Sequence, residues 1–198
     1  MSKEKLTEYI DGSVINAGDG SHEHPTQAIL DMVTLKEKFG KIKNLKIGII
    51  GDILNSIVAR SNIFRLKKLG AEIVVCGPST LLPNDATRLG INVTHNVDEV
   101  LNWCDAVIVL RIQLERMHLG RIPSQREYHR SFGLTYKRVD KLKKDITIMH
   151  PGPMNRGIEI DSTIADSENA VILDQVLNGV ASRMSILYLL LGDKSERL

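Results

Sequence analysis

The sequence predicts an α/β fold: an open parallel sheet of about five strands with helices on both faces. Three observations predict it. Short β-branched runs alternate with segments of helical periodicity between residues 45 and 149, the pattern of strand–helix–strand units. The runs are apolar throughout rather than at every second residue, as in strands covered on both faces. Gly or Pro stands at the junctions, at Gly40, Gly51, Gly70 and Gly77-Pro78, where elements should stop.

Each element follows in order. Residues 7–20 pass from a short helical start into the turn-rich Asn16-Ala17-Gly18-Asp19-Gly20-Ser21. Pro25 suits a first helical turn, where its missing N–H costs nothing. Ala28, Ile29, Met32, Val33, Leu35 and Phe39 then recur at helical spacing until Gly40. Residues 45–50 form the first strand, 58–69 a helix with Ala59, Ile63, Leu66 and Leu69 on one face, and 71–76 the second strand. A short helix over 83–89 leads to a strand at 91–94, and a helix over 97–103 to a strand at 106–110. The charged segment 111–134 carries no strong period. A helix over 135–142, a strand over 145–149, a turn-rich piece over 150–162 and a long helix over 171–191 complete the chain.

The 198 residues suffice to bury a sizeable core. With 26 basic and 24 acidic residues the net charge is +2, and aromatics make up 4%. That balance gives no reason to expect nucleic acid as a partner. Cys76 and Cys104 have no metal-binding spacing and read as buried apolar residues. No run approaches the ~18 apolar residues of a membrane span. Met1-Ser2-Lys3-Glu4-Lys5 lacks the apolar core of a signal peptide, so no membrane association and a cytoplasmic location are expected.

Ligands of open α/β sheets sit beyond the carboxyl ends of the strands. Gly51-Asp52, Arg111-Ile112-Gln113 and His150-Pro151-Gly152-Pro153 occupy those positions, and His24-Pro25-Thr26-Gln27 opens a helix upstream. Arg111 suits bidentate recognition of a carboxylate or phosphate. Imidazoles and a helix N-terminus suit a carbonyl oxygen or an anion. No serine elbow, well-placed cysteine or carboxylate pair offers a nucleophile, which points to positioning and electrostatic catalysis. The Gly48-x-x-Gly51 spacing is not GxGxxG, which disfavours a dinucleotide. Taken singly, each of these residues has a bland reading as a turn, cap or surface residue; their convergence on one sheet edge carries the case.

Together, Asn16 to Gly20, His24-Pro25-Thr26-Gln27, Gly51-Asp52, Leu110-Arg111-Ile112-Gln113-x-Glu115-Arg116 and His150 to Gly157 resemble aspartate carbamoyltransferase, over about residues 10–191. Ornithine carbamoyltransferase is similar but typically has Cys in place of Thr26 and His-Cys-Leu-Pro at residues 150–153. The resemblance implies transfer of a carbamoyl group from carbamoyl phosphate to L-aspartate, in pyrimidine synthesis, with no cofactor and no metal. It implies His24 as the catalytic residue, bonded to the carbamoyl oxygen. Gln27, Pro151, Gly152 and Pro153 would join His24 in binding carbamoyl phosphate. Arg111 and Gln113 would bind aspartate, and segment 114–134 would be similar to a loop that closes over substrate.

By the same resemblance, residues 1–20 are a remnant of an inter-domain segment and 21–170 an aspartate-binding domain. Residues 171–198 are a closing helix that packs on the amino-terminal carbamoyl-phosphate domain, a domain the resemblance finds missing. Such a chain needs that domain as a partner or self-associates through Ile186, Leu187, Leu189, Leu190 and Leu191. Two positions depart from the family pattern: Ile57 stands where an arginine usually grips aspartate, and Asn55 where a histidine is usual. A non-catalytic protein that keeps the fold and weakened amino-acid binding is the competing reading.

Overall fold

Five parallel strands line up in the order β3-β2-β1-β4-β5. The computed structural model describes residues 7–9, 12–18, 22–83, 86, 90–114 and 124–191. In chain order the elements are α1 (Pro25–Phe39), β1 (Lys46–Ile50), α2 (Ile57–Lys68), β2 (Glu72–Cys76), a 3₁₀ turn (Ser79–Leu81), β3 (Asn92–Thr94), α3 (Val97–Trp103) and β4 (Ala106–Val109). Then come α4 (Gln125–Phe132), α5 (Tyr136–Val139), β5 (Thr147–Met149), α6 (Ser162–Ala165) and α7 (Ile172–Leu191).

The apolar strands are buried because both faces are covered. Ile47, Ile49, Ala106 and Ile108 pack in one cluster with Leu35 of α1 and with Ala59, Ile63 and Leu66 of α2. Alternate residues Ile50, Val107 and Val109 join Val100 and Leu101 of α3, Ile164 of α6 and Ile172 of α7 in the other. The side-chain period of two assigns successive residues to opposite layers.

Local rules explain the helix ends. Pro25 occupies the first turn of α1, and Gly40 closes it in the left-handed region at φ 75°. Ser56 caps α2, its Oγ accepting from the Ala59 N–H at 3.1 Å. Asn96 caps α3 through the N–H groups of Asp98 and Glu99.

The sequence reading differs from the structure in two places. Segment 111–134 is not loop throughout, because α4 occupies Gln125–Phe132. Ser124 caps it and Tyr128 pins it to Leu81 and Ile112, with Phe132 one turn on. Two apolar residues in eight are too few to show a period. The helix expected over 135–142 shrinks to Tyr136–Val139. Of the helix expected over 83–89, residues 84, 85 and 87–89 lie outside the described residues, as do Glu115 and Arg116.

Candidate active site

Strand β1 has β2 on one side and β4 on the other, so the chain leaves it in opposite directions on its two edges. Such a switch point opens a crevice at the carboxyl ends of the strands. Gly51 makes the exit from β1 possible. Its φ is +132°, and a Cβ there would lie 2.9 Å from Cβ of Leu110, so only glycine fits. Its N–H stays bonded to the Cys76 carbonyl at 2.9 Å, and Leu110 N–H to the Ile50 carbonyl at 2.8 Å. The two strand ends are therefore held side by side as they diverge.

A cavity of about 170 Å³ occupies this crevice, lined by Asp52, Ser56 to Val58, Leu110, Arg111, Gln113 and Pro151 to Pro153. The structure thus brings together Arg111, Gln113, Pro151, Gly152 and Pro153, four separate stretches of chain meeting there once Gly51-Asp52 and α2 are counted. The electrostatics favour an anion. Arg111 brings a full positive charge, and the amino-terminal turn of α2 adds its dipole. Asp52 also lines the cavity and is 2% exposed. Its Oδ1 accepts from Asn55 N at 3.1 Å and Asn55 Nδ2 at 2.9 Å, with Oδ2 3.2 Å from the same Nδ2. Ile57 lines the cavity as well, so an apolar side chain sits beside the arginine.

The Pro151–Pro153 loop has a chemical bias of its own. Prolines carry no N–H, so residues 150–153 hold only two backbone donors, on His150 and Gly152. Both are taken internally, by Gln175 Oε1 at 2.9 Å and by His150 Nδ1 at 2.9 Å. The backbone is left with carbonyl oxygens to offer, which suit a ligand bearing N–H groups. The peptide between Gly152 and Pro153 is cis.

His150 is not a ligand-facing group, contrary to its place in the strand-edge inventory. It is 1% exposed. With Nδ1 accepting from Gly152, the ring proton sits on Nε2 and faces Glu159 Oε1 at 3.3 Å. Glu159 is fully buried and also accepts from Asn155 N and, at 3.1 Å, from Asn155 Nδ2. The same Nδ2 reaches the Ile112 carbonyl at 2.9 Å, tying the loop to the end of β4. The sequence reading missed Glu159 as a partner. An acid six residues after the end of a His-Pro-Gly-Pro run carries no periodic signal.

His24 and Gln27 do not line the cavity. His24 stands just before α1, its N–H bonded to Ser61 Oγ at 2.9 Å and its Nδ1 3.3 Å from Thr26 Oγ1. Burial, and secondarily the nearby Arg183 charge, hold its imidazole below the usual histidine range, which favours the neutral ring. Gln27 is 6% exposed, and its Nε2 donates to buried Asp31 at 3.1 Å. One of its two amide N–H groups is thus held inside the fold. Arg60 does not take over the position of Ile57. It lines a separate cavity of about 850 Å³ with Ile53, Phe64 and Lys68.

Comparison with known proteins decides the family. Residues 43–190 match the Asp/Orn binding domain of aspartate/ornithine carbamoyltransferases. The chain belongs to this family. Residues 2–37 match the carbamoyl-P binding domain of the same enzymes. Part of that domain is therefore present, and His24, Gln27 and most of α1 fall in it, where the sequence reading finds that domain missing and assigns residues 1–20 to an inter-domain remnant and 21–170 to the aspartate-binding domain. The chain is 56% identical over 191 residues to the aspartate carbamoyltransferase catalytic subunit of Gemmatimonas aurantiaca, covering 96% of itself and 60% of that protein. It is 57% identical over 185 residues to that of Christiangramia forsetii, covering 93% and 60%. It thus spans about 60% of the length of these curated relatives.

Among solved structures, aspartate transcarbamoylase from Trypanosoma cruzi in complex with carbamoyl phosphate superposes with a TM-score of 0.84 at 26% identity, covering 95% of this chain and 62% of that one. Ornithine carbamoyltransferase from Pyrococcus furiosus superposes with 0.81 at 29% identity, covering 96% and 63%. Both kinds of enzyme share the fold. The curated relatives at 56% and 57% identity are of the aspartate type.

Proposed function

We propose that the chain supplies the aspartate half of an aspartate carbamoyltransferase, joining a carbamoyl group to L-aspartate when a carbamoyl-phosphate domain is present. The observation that carries this reading is the convergence of Arg111, Gln113, the α2 amino terminus and the Pro151–Pro153 loop on one cavity at the switch point. Arg111 and the helix dipole bind a substrate carboxylate, with Gln113 beside them. The loop carbonyls accept from the carbamoyl amide. The aspartate nitrogen forms a bond to the carbamoyl carbon and gives up a proton, while the bond from that carbon to the phosphate oxygen breaks and phosphate leaves. His24, kept neutral, donates to the carbamoyl oxygen as negative charge grows there. A ring proton on Nε2, with Nδ1 accepting from the Thr26 hydroxyl 3.3 Å away, would suit that task.

Nothing in this scheme asks the protein for a nucleophile, a metal or a cofactor. Catalysis is orientation plus charge stabilisation. A cytoplasmic location fits the reading, and no described helix is long and apolar enough to cross a membrane. The test is to mix the chain with the carbamoyl-phosphate domain of the Gemmatimonas relative and assay carbamoyl-aspartate. Product that depends on both components and disappears with Arg111→Ala supports the reading. No product at saturating aspartate supports the non-catalytic alternative.

A further inference from the structure

We infer that Asp31 is a positioning residue: by fixing the orientation of the Gln175 amide it sets the Pro151–Pro153 loop and ties it to the start of α1. The inference rests on the reading of that loop and His24 as parts of one site. Asp31 is fully buried in α1 and is the meeting point of three helices. Its Oδ1 accepts from Gln27 Nε2 of α1 at 3.1 Å and from Gln175 Nε2 of α7 at 2.8 Å. Its Oδ2 accepts from Asn62 Nδ2 of α2 at 2.7 Å.

An ionised carboxylate only accepts. Facing it, Gln175 must present its NH₂ group, so its Oε1 must point the other way. There it accepts the His150 N–H at 2.9 Å, and His150 Nδ1 in turn accepts the Gly152 N–H at 2.9 Å. One carboxylate thereby determines which end of an amide meets the loop, and both backbone donors of residues 150–153 are held by that chain. The other arm runs to His24. Asn62 follows Ser61, whose hydroxyl holds the His24 N–H at 2.9 Å. Gln27 and Ala28 N–H both meet the His24 carbonyl at 3.2 Å. A residue that served only to pack helices would not need an acceptor-only group at this junction. An amide at position 31 would turn its own NH₂ toward at least one of these donors in either orientation, so the Gln175 orientation would no longer be fixed by an acceptor-only group.

The test is backbone amide exchange followed by NMR in the full chain. Asp31→Asn should speed exchange at His150 and Gly152 about tenfold, the worth of one hydrogen bond, with Ile49 and Ile108 in the central strands unchanged. Unchanged His150 and Gly152, or an equal rise at all four amides, would overturn the inference, the latter because it reports only lost stability. Gln175→Met breaks the same chain one link later and carries the test should Asp31→Asn fail to fold. It should also speed Gln27 and Ala28, because the coupling runs both ways; unchanged exchange at those two amides would overturn it. Neither readout involves carbamoyl transfer. A negative exchange result therefore sinks the inference and leaves the proposed activity standing, whereas absent activity with a positive exchange result sinks the activity alone.

Discussion

Under the proposed reading, Ile57 is the residue on which aspartate affinity turns. It lines the Arg111 cavity at the first position of α2, and its side chain gives a carboxylate nothing to bond. A charge-assisted hydrogen bond contributes roughly 1.5–3 kcal/mol. Ile57→Arg should therefore tighten aspartate binding by about 10–150-fold in calorimetric titration; an unchanged affinity would mean that position 57 does not meet the carboxylate. Asp31 is the second informative residue. Burial raises its carboxyl from 3.8 to about 6 in the fold, although three amides donate to it. The folded chain therefore binds more protons than the unfolded one between about pH 4 and pH 6. Its contribution to stability falls as pH rises through that window, and the cost is fully present above it. Histidine 24 acts in the opposite sense: with its folded value lowered, stability is lost as pH falls through the ordinary imidazole range. Asp31→Asn keeps the histidine effect and removes the other. Urea midpoints for the two chains between pH 4 and 7 should show the wild type losing ground to the variant as pH rises, and parallel curves would contradict this. Arg111, Gln113 and the loop residues were legible in the sequence because strand ends mark where ligands bind. Asp31, Gln175 and Glu159 were not, because their partners lie 144 or 9 residues away in sequence and buried polar pairing leaves no local pattern.

At the scale of elements, strands and long helices were legible because burial imposes a period on them. Helix α4 was not, since a single buried aromatic holds it. Tyr128 is fully buried against Leu81 and Ile112, its ring 5.6 Å from that of Phe132, and its hydroxyl has no hydrogen-bond partner among the described residues. The ring stabilises and the hydroxyl does not. Tyr128→Phe should leave stability within about 1 kcal/mol or raise it, while Tyr128→Ala should cost about 3–5 kcal/mol. A large loss in the phenylalanine variant, measured in urea, would reveal a bond to the hydroxyl. Helix α7 presents the reverse case. Leu173, Leu177, Val180, Met184, Leu187 and Leu191 recur at intervals of three and four, and all are exposed. That stripe includes part of the apolar patch expected from the sequence, although Ile186 is half-buried. An apolar face of this kind marks a partner site or a route to self-association. Leu177→Glu should change stability by no more than about 0.5 kcal/mol and lower the sedimenting mass of the isolated chain. A monomeric wild type at every concentration would contradict self-association through this face.

The molecule is a switch-point sheet with the Arg111 cavity on one side of α2 and a larger basic-rimmed cavity on the other. The two make different claims on a small dicarboxylate, and geometry favours the smaller. There Arg111, the α2 amino terminus and the carbonyl-rich loop converge, whereas the larger one is floored by Ile53, Leu54, Ile63 and Phe64. The fold was legible because five apolar runs and their connections allow few other arrangements. The division of labour along the chain was not, since a helix of the carbamoyl-P domain and the sheet it packs on share one hydrophobic cluster. The most direct test of the aspartate site is a titration of L-aspartate into the isotope-labelled chain, followed by amide chemical shifts. Shifts should move first at Arg111, Gln113, Gly152 and Val58, and Arg111→Ala should abolish them. Shifts centred on Arg60, Phe64 and Lys68 instead, or none at all, would contradict the account.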